Sequence, residues 1–298
     1  MGKIIQLPLK RPDGASGGNP AASSIGSGRE LGRVIPLGSL GYPPLHVAAV
    51  CGDVERLRRL LQEDGADPDQ TIAEEITPLV LAISHEQYDA VQFLLEHRSD
   101  VNRPGKGGVA PLHWAARTGN HEIVVALIEK GAGVDAKTTF GTTPTWWAIE
   151  KGQIAALKIL LRCGASPEAA DVAGTSLLHL AVACGHADIV STLLSAGASP
   201  GQTNAAGRTP IHLLANESAS RVLELLLSAG GDLNRPDGAG LTPLLVCAAH
   251  GHGEAVAALL ARGGGVGSGP GLRERCAQLF RRLPEELRDQ LSKILPPK

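Results

Sequence analysis

A prolyl position returns along this chain at near-constant intervals: Pro44, Pro78, Pro111, Pro144, Leu177 in its place, Pro210 and Pro243, at steps of 34, 33, 33, 33, 33 and 33 residues. A period of this length, kept over seven copies, marks a solenoid in which similar supersecondary units stack and no unit buries its apolar face alone. Each copy has the same anatomy. A polar or small residue (Thr77, Thr143, Ser176, Thr209, Thr242) precedes the Pro, which suits a first helical turn because its missing N–H has no intrahelical partner there. The helix it opens carries small apolar residues (Ala115, Ala116, Ala181, Ala248) and ends at Gly52, Gly119, Gly152, Gly185 or Gly251. A second helix follows, with Ile123, Val124, Leu127 and Ile128, or Ile189, Val190, Leu193 and Leu194, at helical spacing, and ends at a Gly such as Gly131, Gly164 or Gly197. The dozen residues left, rich in Gly, Asp, Asn and Pro, form a hairpin-like turn that returns the chain to the next unit.

The tetrapeptide-like runs Pro44-Leu45-His46, Pro111-Leu112-His113 and Pro210-Ile211-His212, with helix ends of the type Gly65-Ala66-Asp67 and Gly197-Ala198-Ser199, resemble the ankyrin repeat family. The resemblance implies an all-α ankyrin-repeat solenoid of seven units. The expected organisation is a Gly/Ser/Pro-rich disordered arm over residues 1–38, the repeats over 39–268 and a helical tail over 269–298. Three units depart from the pattern: Glu86 replaces the inter-helix Gly in the second, Thr145-Trp146 replaces Leu-His in the fourth, and Asn216-Glu217-Ser218 stands where Gly would end the first helix of the sixth. These units are expected to be less regular.

With 28 Lys and Arg against 30 Asp and Glu, the chain encodes no bulk footprint for nucleic acid or an anionic membrane. Aromatics make up 3% of residues, too few for one large globular core but sufficient for stacked small-residue layers. The five cysteines are odd in number and lack paired short spacing, which reads as reduced thiols in the cytoplasm or nucleus. Neither a signal peptide nor an apolar run of membrane-spanning length is found, and Gln6 stands where a myristoylation pattern wants Ser or Thr.

No catalytic constellation or phosphate loop is found, no cofactor is implied, and the Gly263–Gly269 run reads as a flexible hinge. His46, His113, His179 and His212 recur once per unit, too far apart to share a metal, and the family resemblance makes them structural, with His121 and His186 read likewise. Trp114 and Trp147 occupy one place in adjacent units, either as a packing pair or as rings edging onto the binding face.

The expected function is to bind a protein partner. Positions that vary between copies without a packing demand are Arg117, Thr118, Thr139, Phe140, Thr142, Glu150 and Lys151, flanked by Lys106 and Arg208, and in the family such positions line the concave face. Phe140 has no aromatic counterpart and reads either as an anchor or as cover for a local apolar spot. The tail is either a cap or an adaptor-binding module: Leu272-Arg-Glu-Arg-Cys276 and Leu283-Pro284-Glu285-Glu286-Leu287 resemble a suppressor-of-cytokine-signalling box. That would make Leu272, Cys276 and Phe280 contacts for an elongin-type adaptor and a cullin, although the two halves lie close together for a full module and Phe280 replaces a smaller aliphatic.

Overall fold

A computed structural model describes residues 42–215 and 217–267, with Pro284, Glu285 and Asp289. The expected arm over 1–38 and the tail contacts Leu272, Cys276 and Phe280 lie outside the described residues, as does Asn216.

The described residues form α-helices joined by turns and fall into two compact units that divide between Ala165 and Ser166. In the first unit the helices come as pairs: α1 (Pro44–Cys51) with α2 (Val54–Gln62), α3 (Pro78–Ser84) with α4 (Tyr88–Glu96), α5 (Pro111–Thr118) with α6 (His121–Glu129), and α7 (Pro144–Glu150) with α8 (Ile154–Arg162). The first helices pack side by side, and so do the second helices. In the second unit α9 (Leu177–Cys184) pairs with α10 (Ala187–Ser195) and α12 (Pro243–His250) with α13 (Gly253–Ala261), while a 3-10 turn (Pro210–Leu213) packs between α9 and α12 and α11 (Ala219–Ser228) between α10 and α13.

The repeated apolar positions are the ones that vanish from solvent. Leu45, Leu79, Leu112, Ala115, Ala116, Ile123, Val124 and Leu127 are at most 2% exposed in the first unit, and a buried side chain of Leu or Val size contributes about 1.5–3 kcal/mol. Helix starts follow the sequence closely. Thr77, Thr143 and Ser176 accept the backbone N–H of Val80, Trp146 and His179, supplying one of the partners that a first turn lacks.

Where the histidine recurs, it ties its copy to the next. The Nδ1 atoms of His113, His179 and His212 accept the backbone N–H of Ala110, Ser176 and Thr209. That leaves Nε2 as the protonated nitrogen, and it donates to the carbonyls of Thr142 (3.2 Å), Arg208 (2.8 Å) and Leu241 (3.2 Å), 29 residues on. His46 Nε2 pairs similarly with Ile76 O at 3.3 Å, but its Nδ1 is buried without a partner, because the residue three before it is Pro43, which has no N–H.

A second ladder joins successive turns. Asp69 accepts the Asp100 N–H, Asn102 accepts Gly133 N–H, Glu168 accepts Ser199 N–H and Asn234 accepts Gly265 N–H. Gly201 occupies the same place in the period and has no side chain to offer.

The irregular copies resolve the missing Gly in two different ways. Glu86 enters the left-handed region anyway (φ 55), and the same repeat holds every other described non-glycine residue of positive φ: Glu74, Glu75 and Arg98. Glu75 and Arg98 stand where neighbouring repeats have Gly108 and Gly131, so this copy bears backbone strain that its neighbours avoid. Ser218 instead stays at φ −81 at the start of α11, its hydroxyl donating to Gly185 O at 2.8 Å, and the helix before it shrinks to the 3-10 turn. The Cys247 thiol then donates to the Leu214 carbonyl, which that short turn leaves over (3.4 Å), and burial pushes its pKa up to about 12.

The expected hinge needs correction over its described part. Val266 is buried, Asn234 holds Gly265 N–H, and Thr242 Oγ1 donates to Gly265 O at 2.8 Å, so residues 263–267 are a fastened return turn.

Candidate protein-binding surface

The ends of α5 and α7 build the most distinctive cluster of the first unit. The rings of Trp114 and Trp147 meet edge to face, with centroids 5.7 Å apart, and His113 meets Trp147 at 5.5 Å. The Arg117 guanidinium lies over both indoles, 5.6 Å from the Trp114 centroid and 5.8 Å from that of Trp147. Both rings and Arg117 are half-buried, so the cluster packs on one side and meets solvent on the other. A cation over an aromatic face contributes roughly 0.5–1 kcal/mol where exposed and more when water is excluded. The site is therefore pre-ordered, and covering it would strengthen the cation–ring attraction.

Thr142 sets this geometry. Its Oγ1 accepts the Trp147 Nε1–H at 3.2 Å and pairs with Thr138 Oγ1 at 2.7 Å, while its carbonyl accepts the His113 Nε2–H. Thr142 thus belongs to the support of the cluster. Burial holds the His113 pKa below its ordinary value of 6.5, with the Thr142 carbonyl opposing in part, and the imidazole next to Trp147 stays neutral.

The other expected positions fall into separate settings. Thr118 follows Arg117, and the carbonyls of both accept Gln153 Nε2–H (3.1 and 3.4 Å). Glu150 and Lys151 are exposed at the end of α7 and approach each other at 3.8 Å. Thr139 is exposed at a turn tip, and its N–H donates to Gly107 O at 2.8 Å, which sets it beside the turn that carries Lys106. Lys106 pairs across the surface with Glu74 at 2.8 Å. Phe140 is half-buried in the same turn. Arg208 is apart from all of these. It lies in the second unit, where its Nε donates to Asp237 at 3.2 Å. Burial pushes the Asp237 carboxyl up, but the Leu241 N–H, the Arg208 guanidinium and the Ala239 N–H outweigh it and hold the pKa below the ordinary value. Arg208 thereby acts as a turn fastener.

One group of residues escaped the sequence reading. Thr138, Asp171, Asn204 and Asp237 share one period position, and each accepts N–H groups two and four residues on, which fixes these four turn tips. Their recurrence as Asp, Asn or Thr was the available signal. His121 and His186 sit in other settings than the four buried histidines: His121 is exposed and His186 half-buried. Among the described residues no group of three or more His, Cys, Asp or Glu could hold a metal ion, and no helix is long and apolar enough to cross a membrane.

Comparison with known proteins agrees with this architecture. The family model described as ankyrin repeats (3 copies) matches residues 28–105, 45–138, 112–204 and 178–267. The human ASB11 ankyrin repeat domain is similar in structure, with 27% identity and a TM-score of 0.66 over 77% of this chain and 99% of that one. The ankyrin repeat domain of Bcl-3, described as a unique member of the IkappaB protein family, follows with 25% identity and a TM-score of 0.62 over 74% and 99%. In sequence, 75 residues are 32% identical to alpha-latrocrustotoxin-Lt1a of Latrodectus tredecimguttatus, which is 25% of this chain and 5% of the toxin. On the strength of the family model, which spans most of its length, the chain belongs to the ankyrin repeat family.

Proposed function

We propose that this chain is a non-enzymatic interaction scaffold of seven ankyrin repeats that docks a protein partner on the first helices and turn tips of residues 42–165. The observation that carries the reading is the Arg117 guanidinium over Trp114 and Trp147, a half-exposed arrangement of the residue types that dominate interface energetics. We assign Thr118, Thr139, Phe140, Glu150, Lys151 and Lys106 to the same proposed face because they vary from copy to copy. A photo-crosslinking amino acid at Thr118 or Lys151 of the full chain should capture the partner in cells, and one at Val125, on the exposed side of α6, should not. Capture from Val125 alone would move the binding face to the second helices.

A second reading, a substrate receptor of a cullin-type ubiquitin ligase, rests on the tail sequence Leu272-Arg-Glu-Arg-Cys276 and Leu283-Pro284. It requires an elongin-type adaptor to co-purify with the full chain and to be lost on deletion of residues 270–298. Retention after deletion rejects it.

A further inference from the structure

Ser199 and its surroundings carry features that partner binding does not use. Ser199 is exposed and directly precedes Pro200, so its backbone is held to the extended region, the conformation in which kinases take their substrates. In three other copies its place in the period holds an aspartate: Asp67, Asp100 and Asp232 each accept the N–H two residues on at 2.9 Å through a carboxylate oxygen. Ser199 Oγ makes the same bond to Gly201 N–H at 3.3 Å, so the hydroxyl points where those carboxylates point.

Next to it is the missing rung of the turn ladder. A Cβ placed on Gly201 would find Arg235 Nη1 and Ser199 Oγ, each at 3.9 Å, as its near neighbours, and the Arg235 guanidinium already donates to Gly201 O at 3.2 Å. In one copy of the first unit the residues at these two places are Asp69 and Arg103, a carboxylate and a guanidinium that attract each other. At Gly201 the cation is kept and the anion is absent.

We propose that Ser199 is a phosphorylation site for a proline-directed serine kinase, and that its phosphate occupies the gap at Gly201 beside Arg235. In the transfer the Ser199 oxygen bonds to the γ-phosphorus of ATP, the bond to the β-phosphate oxygen breaks and ADP leaves, and the hydroxyl proton passes to the catalytic carboxylate of the kinase. The product carries close to two negative charges and three strong acceptors where the hydroxyl had been. Glu168, which accepts the Ser199 N–H at 2.6 Å, repels that charge. Arg235 therefore decides the sign of the effect. Ser166-Pro167, one period earlier, is the internal contrast: it is half-buried, and Gln202 stands in the place of the arginine.

The test treats the full chain with Mg-ATP and, separately, a mitogen-activated and a cyclin-dependent kinase, and maps phosphate by peptide mass spectrometry. Phosphate is expected on Ser199 and is lost with Ser199→Ala. Genetically encoded phosphoserine at 199 should raise Tm by about 2 °C, the shift expected for a modest new contact in a chain of this size. With Arg235→Gln the same phosphoserine should lower Tm, while kinase uptake is unchanged. Failure of Ser199 to accept phosphate from either kinase overturns the proposal, and so does a Tm response that is the same with and without Arg235.

Discussion

The Asn234 side-chain oxygen accepts the N–H of Gly265 at 2.7 Å, closing a rung between turns 31 residues apart, and the equivalent rung is vacant at Gly201. Gly201 does not need positive φ, and an added Cβ meets nothing nearer than 3.9 Å. Gly201→Asn should therefore stabilise the second unit by about 1 kcal/mol, the usual net gain from one hydrogen bond. Urea unfolding would show this as a higher midpoint at unchanged slope.

The second repeat holds correctable strain. Arg98 sits at φ 66 where the other repeats have Gly, and a side chain at those glycines meets nothing within 4 Å, so backbone conformation alone sets the cost. Ser99 follows with a buried hydroxyl that has no partner, where Ala132, Ala165 and Ala198 are buried in other repeats. Arg98→Gly and Ser99→Ala should each stabilise by about 1 kcal/mol. A fall in thermal midpoint for either would show that the native residue makes a contact worth more than its strain.

Hydrogen exchange should follow the same irregularity. Backbone amides near Glu86 and Ser218, where the inter-helix glycine is missing, should exchange faster than those near Gly119, because each repeat is held only by itself and its neighbours. Equal protection at the three turns would mean that stacking erases local strain.

Acid should weaken the fold through the buried histidines. Burial lowers the pKa of His46, His113, His179 and His212 from the ordinary 6.5, with bonds to carbonyls opposing in part. As pH falls through 6.5 the unfolded chain takes up protons that the folded chain refuses, so stability is full above that value and declines below it. Melting temperature should be level from pH 8 to about 7 and drop toward pH 5. A level profile across the whole range would contradict the neutral, carbonyl-bonded state.

For the partner, Arg117→Ala and Phe140→Ala should each weaken binding, by roughly 2 kcal/mol if the residue is a hot spot. Calorimetry with the captured partner gives the affinity, and a melt of the same samples separates the two residues' roles. A Phe140→Ala protein that melts early yet binds normally would assign that ring to the scaffold.

Helix positions, their Pro starts and the small inner residues were legible in the sequence because each depends on residues a few places apart, and the repetition of Pro111 and Gly119 made the pattern visible. The turn ladder was hidden because Asn102 and Gly133 are distant in sequence and the bond depends on the stacking itself. Among site residues, Trp114 and Trp147 could be placed side by side from their 33-residue spacing. That Arg117 would lie across both depends on a rotamer choice, and that Thr142 would be spent on Trp147 and His113 depends on a turn whose organiser, Thr138, resembles an ordinary polar residue. Glu86 illustrates the opposite limit. Its side chain argues against a left-handed turn, and the backbone adopts one at φ 55.

The histidine bonds also decide where this chain can be cut. A fragment ending at residue 132 would keep α5 and α6 whole, yet His113 would lose the carbonyl that its Nε2–H addresses. Carrying the fragment through Thr142 restores it, and the same holds for His212 and Leu241. The severable module is thus offset from the sequence period: each piece is complete only when it takes with it the opening turn of the piece that follows.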